Sequence, residues 1–377
     1  MASDLKRTSE NAVPLETMSK HLARTVCTMP DETAVHTLRA TPDNCYWGYI
    51  DRDQPPALSI APGDVVEVEA VTHHAGDAPD LMMDDDLRTL WAAIPAEQRA
   101  PGVHVMTGPI EVRGARPGDA VVVSILDMKP RMPYGSNLAA HWGLLYKRFG
   151  KERVTIYALD DVSPPGVFGP TARPLFGYDF TGRSLYDRPG FITDPDLPAR
   201  QPFSRPVVIP VRPHFGVMGV APAESGRLSS VPPGVFGGNV DNWRVGPGAT
   251  MRYPVFVEGA NLYVGDPHFA QGDGEVCGTA IEASLTARIQ ISIERGAPVT
   301  APQLETDTHW FTHGFGDDLD EAMTMAVEQM LALLQDRFAL AGDDAYSLAS
   351  VAVDVGVTQV VDGRLGCHAS IAKSILG

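Results

Sequence analysis

Glycine and proline break this chain so often that long regular helix is confined to one late stretch, between Asp317 and Leu340. The 36 glycines and 32 prolines make 68 of 377 residues, about 18% where ordinary usage gives about 12%. They follow no fixed period and lie among apolar runs, which marks turns between short strands and excludes collagen or a disordered tract. Residues 282–294 show the clearest strand. Glu282, Ser284, Thr286, Arg288, Gln290, Ser292 and Glu294 share one face, and Ala283, Leu285, Ala287, Ile289, Ile291 and Ile293 share the other, the period-two pattern of a half-buried strand. Further strands are expected over 64–71, 109–113, 120–125 and 207–211. One helix is expected over 84–99, with Asp84, Asp85 and Asp86 as its acidic first turn. The late amphipathic helix should stop at Gly342, before a short helix at 343–350 and a strand at 351–355. The expected fold is mainly β, a β-sandwich-like core with turn-rich excursions, plus a smaller C-terminal α+β part.

Charge narrows the partners. Lys and Arg number 30 against 47 Asp and Glu, a net charge of −17, which repels phosphate backbones and argues against nucleic acid as a partner. Cys27, Cys45, Cys277 and Cys367 lie far apart with no C-x-x-C pair, the usage of a reducing cytoplasm. The first 28 residues carry no apolar signal core, and no run approaches the roughly 18–20 apolar residues of a spanning helix. A cytoplasmic protein without a membrane partner is expected.

Familiar catalytic motifs are absent: no G-x-S-x-G elbow, no phosphate-binding G-x-x-x-x-G-K-[ST] loop, no H-E-x-x-H. Cys277 stands beside Glu275, which would raise a thiol's pKa, so a structural role is expected for it over that of a nucleophile. One pattern occurs twice. Pro109 to Ala115 and Pro254 to Ala260 both read P-x-x-V-x-G-A, and each leads to a Gly-Asp pair, ending in Asp119 and Asp266. The densest chemistry follows the second copy. With extended backbone at Asp266, Asp266 and His268 point the same way; Asp273 and Glu275 repeat the spacing after a glycine turn. Carboxylates beside an imidazole suit a zinc-type ion, with one carboxylate left to act as a base. A hydrogen-bonded turn with a surface His fits the same residues. His73, His74 and His104 are further candidates; in a strand His73 and His74 would diverge, so only one would face a site. His309 and His313 sit in an unpromising segment.

The segments 214–222 and 232–241, then 254–260 and 265–275, resemble the acetamidase/formamidase family; Thr107-Gly108-Pro109 and residues 114–119 match its earlier segment. The resemblance runs over about residues 35–377 and is densest at 210–295. It implies a β-rich fold, metal-dependent hydrolysis of small linear amides to a carboxylate and ammonia, and a homo-oligomer. Onto this chain it carries Asp266, His268, Asp273, Glu275, Glu282 and Asp241. The candidate assignments are a divalent ion, zinc for preference, held by Asp266, His268 and Asp241 with His74 or His104; Glu275, Glu282 and Asp273 for proton transfer; and His214 and Gly238 beside a small amide substrate. A larger amide, a lactam or a carbamate is the alternative substrate. A non-catalytic ligand- or metal-binding β protein is the alternative of another class. The expected organisation is an adapter at 1–34, a β-rich catalytic core at 35–300 that includes an excursion at 127–206, and an α+β part at 301–377 packed on it.

Overall fold

The alternating run becomes the strand Leu285–Glu294, flanked antiparallel by Val65–Ala70 and Ala120–Pro130. Its apolar face, Leu285, Ala287, Ile289 and Ile291, is fully buried, while Arg288 on the other face is exposed. The computed structural model describes residues 33–160, 169–180, 189–196 and 199–377; the expected adapter, with Cys27, falls almost wholly outside them. Residues Ala34–Gly377 form one compact unit. Among the described residues, one sheet runs Val35–Leu38, Val65–Ala70, Leu285–Glu294, Ala120–Pro130, Thr250–Pro254, Gln303–Glu305, His309–Gly316, Leu365–Ala372 and Val353–Gln359. The second centres on Leu262–Ala270, which lies between Ile281–Glu282 and His214–Gly219 and also pairs with Val105–Val112.

The two sheets share one core. Val66, Val68, Val123, Met251 and Ile289 from the first meet Ile110, Phe215, Leu262, Val264 and Phe269 from the second. Burial of such a side chain contributes about 1.5–3 kcal/mol, so the shared face is what holds the sandwich together. The mainly β sandwich matches the expected class. Within 127–206, Tyr134–Ala139, Glu152–Asp160 and Thr171–Phe180 are strands of the second sheet. The helix expected over 84–99 spans Asp85–Ala93, capped by Asp84, whose carboxylate accepts from Leu87 N at 2.8 Å. Pro95 separates it from a turn at Ala96–Gln98.

Two features of this frame position the site. First, the alternating segment changes sheets. Ile281–Glu282 pairs in the second sheet, with His268 opposite Glu282, and the chain joins the first sheet only at Leu285. Second, the two P-x-x-V-x-G-A copies lie against each other. Val112 N donates to Gly259 O (2.9 Å) and Gly259 N to Ala115 O (3.0 Å). Gly114 and Gly259 take the same left-handed conformation, φ +78° and +79°, which glycine adopts without strain. Their aspartates then part: Asp119 pairs with Arg295, and Asp266 enters a buried cluster.

The late helix spans Leu319–Phe338 and lays Ala326, Met330 and Leu333 on Trp310, Cys367 and Ile371. It ends at Ala339, φ +56°, not at Gly342, which instead opens the helix Gly342–Ala352. The closing bonds, Ala339 N to Gln335 O and Leu340 N to Leu334 O, satisfy the end carbonyls three residues early. Among the described residues no helix is long and apolar enough to cross a membrane.

Candidate metal centre

Leu262–Ala270 supplies Asp266 and His268, and its neighbours supply the rest. His268 Nε2 lies 3.0 Å from Asp266 Oδ2 and 3.2 Å from Glu282 Oε2; the second is an ion-pair contact. His104 Nε2 stands 3.7 Å from the same Asp266 oxygen. Three sets bring one ligand atom each within 4.8 Å of one another: Asp266, His268 and Glu282; Asp241, His268 and Glu275; His73, His104 and Asp266. Asp362 joins them on the wall of a cavity of about 20 Å³, room for a water or an ion. Asp241, Asp266 and Glu275 all have left-handed backbone, φ +51°, +46° and +45°. For non-glycine residues this costs about 1 kcal/mol or more each, and here three such residues turn carboxylates into one space. Gly216 floors it: a Cβ there would meet Asp266 Oδ2 and His268 Cε1 at 2.6 Å and Asp241 Oδ1 at 2.7 Å.

The donor set fits a divalent cation. Both oxygens of Asp241, Oδ1 of Asp266, Oδ2 of Asp362 and Oε2 of Glu282 are buried without a hydrogen-bond partner. Such atoms are costly unless something positive meets them. His214 Nδ1 lies 2.7 Å from Arg212 O, while its Nε2 lies 3.0 Å from Gln271 Oε1 and 3.1 Å from His268 Nδ1. Burial and then His268 push His214 down to about 3, so its ring is neutral and shares one proton between two carbonyl acceptors. With Nδ1 against His214, His268 turns Nε2 toward two carboxylates. His104 donates Nδ1 to Ser230 O (3.1 Å) and so presents the lone pair of its Nε2 toward Asp266. This is the outer-shell arrangement that orients metal-binding histidines.

Without an ion, protons take up the imbalance. Burial opposes a charged His268, but Glu282 and Asp266 raise it well above its ordinary value. Burial would also raise Asp266, yet His104 and His268 outweigh it and hold that carboxyl well below. Burial, then Asp266, lifts Asp241 to about 7. Burial, then Asp241 and Asp362, lifts Glu275 well above the carboxylate range.

The acetamidase/formamidase family model matches residues 41–226 and 223–372. The chain belongs to that family. The acetamidase of Mycolicibacterium smegmatis is 30% identical over 275 residues, 66% of each chain. The formamidase of Methylophilus methylotrophus is 29% identical over 274 residues, 64% of this chain and 62% of its own. The match therefore spans just under two thirds of both relatives. The crystal structure of an acetamidase from Bacillus halodurans superposes with a TM-score of 0.67 at 26% identity, covering 90% of this chain and 98% of that one.

Within this acetamidase/formamidase family chain, Asp266, His268, Asp241, Glu275, Glu282, His104 and His74 all border the cluster, and His214 backs His268. Asp273 lies elsewhere. Gly274 and Glu275 are both left-handed (φ +98° and +45°), which breaks the i, i+2 alternation, and Asp273 pairs with Arg244 at 3.0 Å. Gly238 abuts Phe236 and Ile50. The backbone at Asp266 is left-handed, not extended, yet Asp266 and His268 do meet. His73 and His74 do not diverge, because they begin a 3-10 turn, His73–Asp77; both line the cavity, with ring centroids 4.2 Å apart. His74 is held by Asp77 at 3.0 Å, while His73 groups with His104 and Asp266. Cys277, half-buried, borders a separate apolar cavity with Leu145 and Phe149. His313 is a satisfied core group between Asn242 and Pro302 O. Sequence reasoning missed Asp362, Gly216 and Asp77. Only the Asp362-Gly363 turn signal hinted at the first.

Proposed function

We propose that this chain hydrolyses a small linear amide, of the formamide or acetamide class, to a carboxylate and ammonia, with zinc held at the cluster. The observation that carries the reading is a buried set of unpaired carboxylate oxygens facing imidazole nitrogens, with no lysine or arginine among them. Family membership supports the reaction class, and the names of the relatives support the substrate class. Asp266, His268 and Glu282, with His104, His73 and Asp241 around them, are the residues that would hold the ion; mixed nitrogen and oxygen donors suit zinc. When bound, the ion supplies Lewis-acid polarisation of the amide carbonyl and acidification of water. The chain's own residues do the rest. His214 fixes the orientation of His268, and Gly216 leaves room for three ligand groups to converge. Glu275, whose carboxyl burial raises, holds a proton that the leaving nitrogen needs. The tight cavity excludes bulk water and favours a substrate of few atoms. Assembly as a homo-oligomer belongs to the same reading, and sedimentation tests it.

The test is elemental analysis of purified protein together with ammonia release from formamide and acetamide. About one zinc or more per chain is expected, with activity lost on chelation and restored by zinc. His268→Ala is expected to lose both metal and turnover while keeping a cooperative melt. Full activity in metal-free protein overturns the metal role; full metal occupancy without turnover of any small amide overturns the reaction.

A further inference from the structure

A second, roomier cavity lies outside the cluster. It measures about 820 Å³, opens to solvent, and is walled by Arg212, Trp243, Arg244, Phe311 and His368. His368 is only 5% exposed, yet neither ring nitrogen has a hydrogen-bond partner. Its cross-strand neighbour is Gly356, where a Cβ would meet Nε2 at 2.6 Å, so the imidazole lies over bare backbone. Both nitrogens are closed to solvent as the ring stands, so a ligand meets them only after the ring turns toward the cavity, and unpaired buried polar atoms favour that turn. Burial and then Arg244 push His368 down to about 4, so at neutral pH it offers one donor and one acceptor. Both guanidinium groups stack on Trp243, at 3.8 Å for Arg212 and 4.2 Å for Arg244. Arg244 is neutralised by Asp273. Arg212 has only the carbonyl of Gln271 (3.1 Å) and, among the described residues, no ion pair of its own.

We propose that this cavity is a second small-molecule site, one that binds a monocarboxylate between the Arg212 guanidinium and the His368 ring, with the ligand's body against Trp243 and Phe311. Planar, two-oxygen anions match the guanidinium fork. Asp273 and Asp354 on the same wall disfavour a doubly charged phosphate. The site goes beyond amide hydrolysis and does not depend on it. It adjoins the metal cluster through Arg212, whose carbonyl orients His214.

The experiment is calorimetric titration of the full chain with acetate and with benzoate, using inorganic phosphate as the contrast. Saturable carboxylate binding is expected, with phosphate weaker. Arg212→Gln, an exposed change that leaves the core intact, and His368→Phe are each expected to weaken it about tenfold or more, or 1.4 kcal/mol. His268→Ala is expected to leave it unchanged, which separates this site from carboxylate taken up at the cluster. Binding lost in His268→Ala but kept in Arg212→Gln overturns the proposal. So does absence of binding, including the case in which sedimentation shows a second copy covering this face.

Discussion

Gly216 shows how little space the cluster leaves. A methyl group there has to displace Asp266, His268 or Asp241, none of which is the loose end of a surface side chain. Overpacking of this kind costs about 1–3 kcal/mol, and here it falls on ligand geometry. Under the proposed function, Gly216→Ala is expected to lower metal content and amide turnover by about tenfold or more while the melt stays cooperative. Elemental analysis beside thermal melts checks this; a variant with normal metal and activity would show that the floor is not tight. His214 acts at the same scale, since its ring lies 3.1 Å from His268 Nδ1 and leaves Nε2 of His268 facing the carboxylates. The residues legible from sequence here, Asp266, His268, Glu275 and Glu282, were legible because they lie within 17 positions of one another. Asp362 was not, because a remote loop brings it in; His73 was a candidate expected to diverge from His74, and the 3-10 turn His73–Asp77 brings both to the site.

The long helix carries its own test at the scale of elements. Asp318 caps its start, accepting from Glu321 N at 2.9 Å, and Asp318→Ala is expected to cost about 1 kcal/mol. Its end is a compromise, with alanine at φ +56° where glycine is unstrained. Ala339→Gly is therefore expected to stabilise by about 0.5–1 kcal/mol. Denaturant melts check both, and equal midpoints for Ala339→Gly and the parent chain would contradict the strain reading. The loop at 272–278 matters more for chemistry. Gly274 N donates to Thr358 O (2.9 Å) and Val360 N to Gly274 O (3.1 Å), so the loop that presents Glu275 is pinned beside the segment that presents Asp362. No local pattern announces that pairing, because the two segments are about 85 positions apart in sequence.

At the scale of the whole molecule, an acidic protein depends on how its carboxylates are spent. Asp119 ties the turn after the first P-x-x-V-x-G-A copy to Arg295 and the Gly296 amide. Burial would raise its carboxyl, but Gly296 and Arg295 outweigh burial and lower it. A depressed folded value contributes stability above the unfolded one, about 3.9 for Asp, and that contribution disappears as pH falls through the folded value. The difference in Tm between the parent chain and Asp119→Asn is thus expected to be full at pH 6 and to shrink below about pH 4. A difference that grows on acidification would reverse the assigned sign.

The sequence by itself determined the class of this protein. Glycine and proline density excludes a helical bundle, the alternation at 282–294 demands a sheet with one buried face, and the motifs at 210–295 carry the family. These are local properties, set by period and by the backbone freedom of single residues. Tertiary structure decided which acids share a space. The change of sheets at Ala283 and Ser284 sets Glu282 against His268, and paired left-handed residues turn Glu275 inward and Asp273 away toward Arg244. Chain direction at such points depends on long-range strand pairing, so a spacing rule that assumes extended backbone finds the neighbourhood and misassigns some of its members.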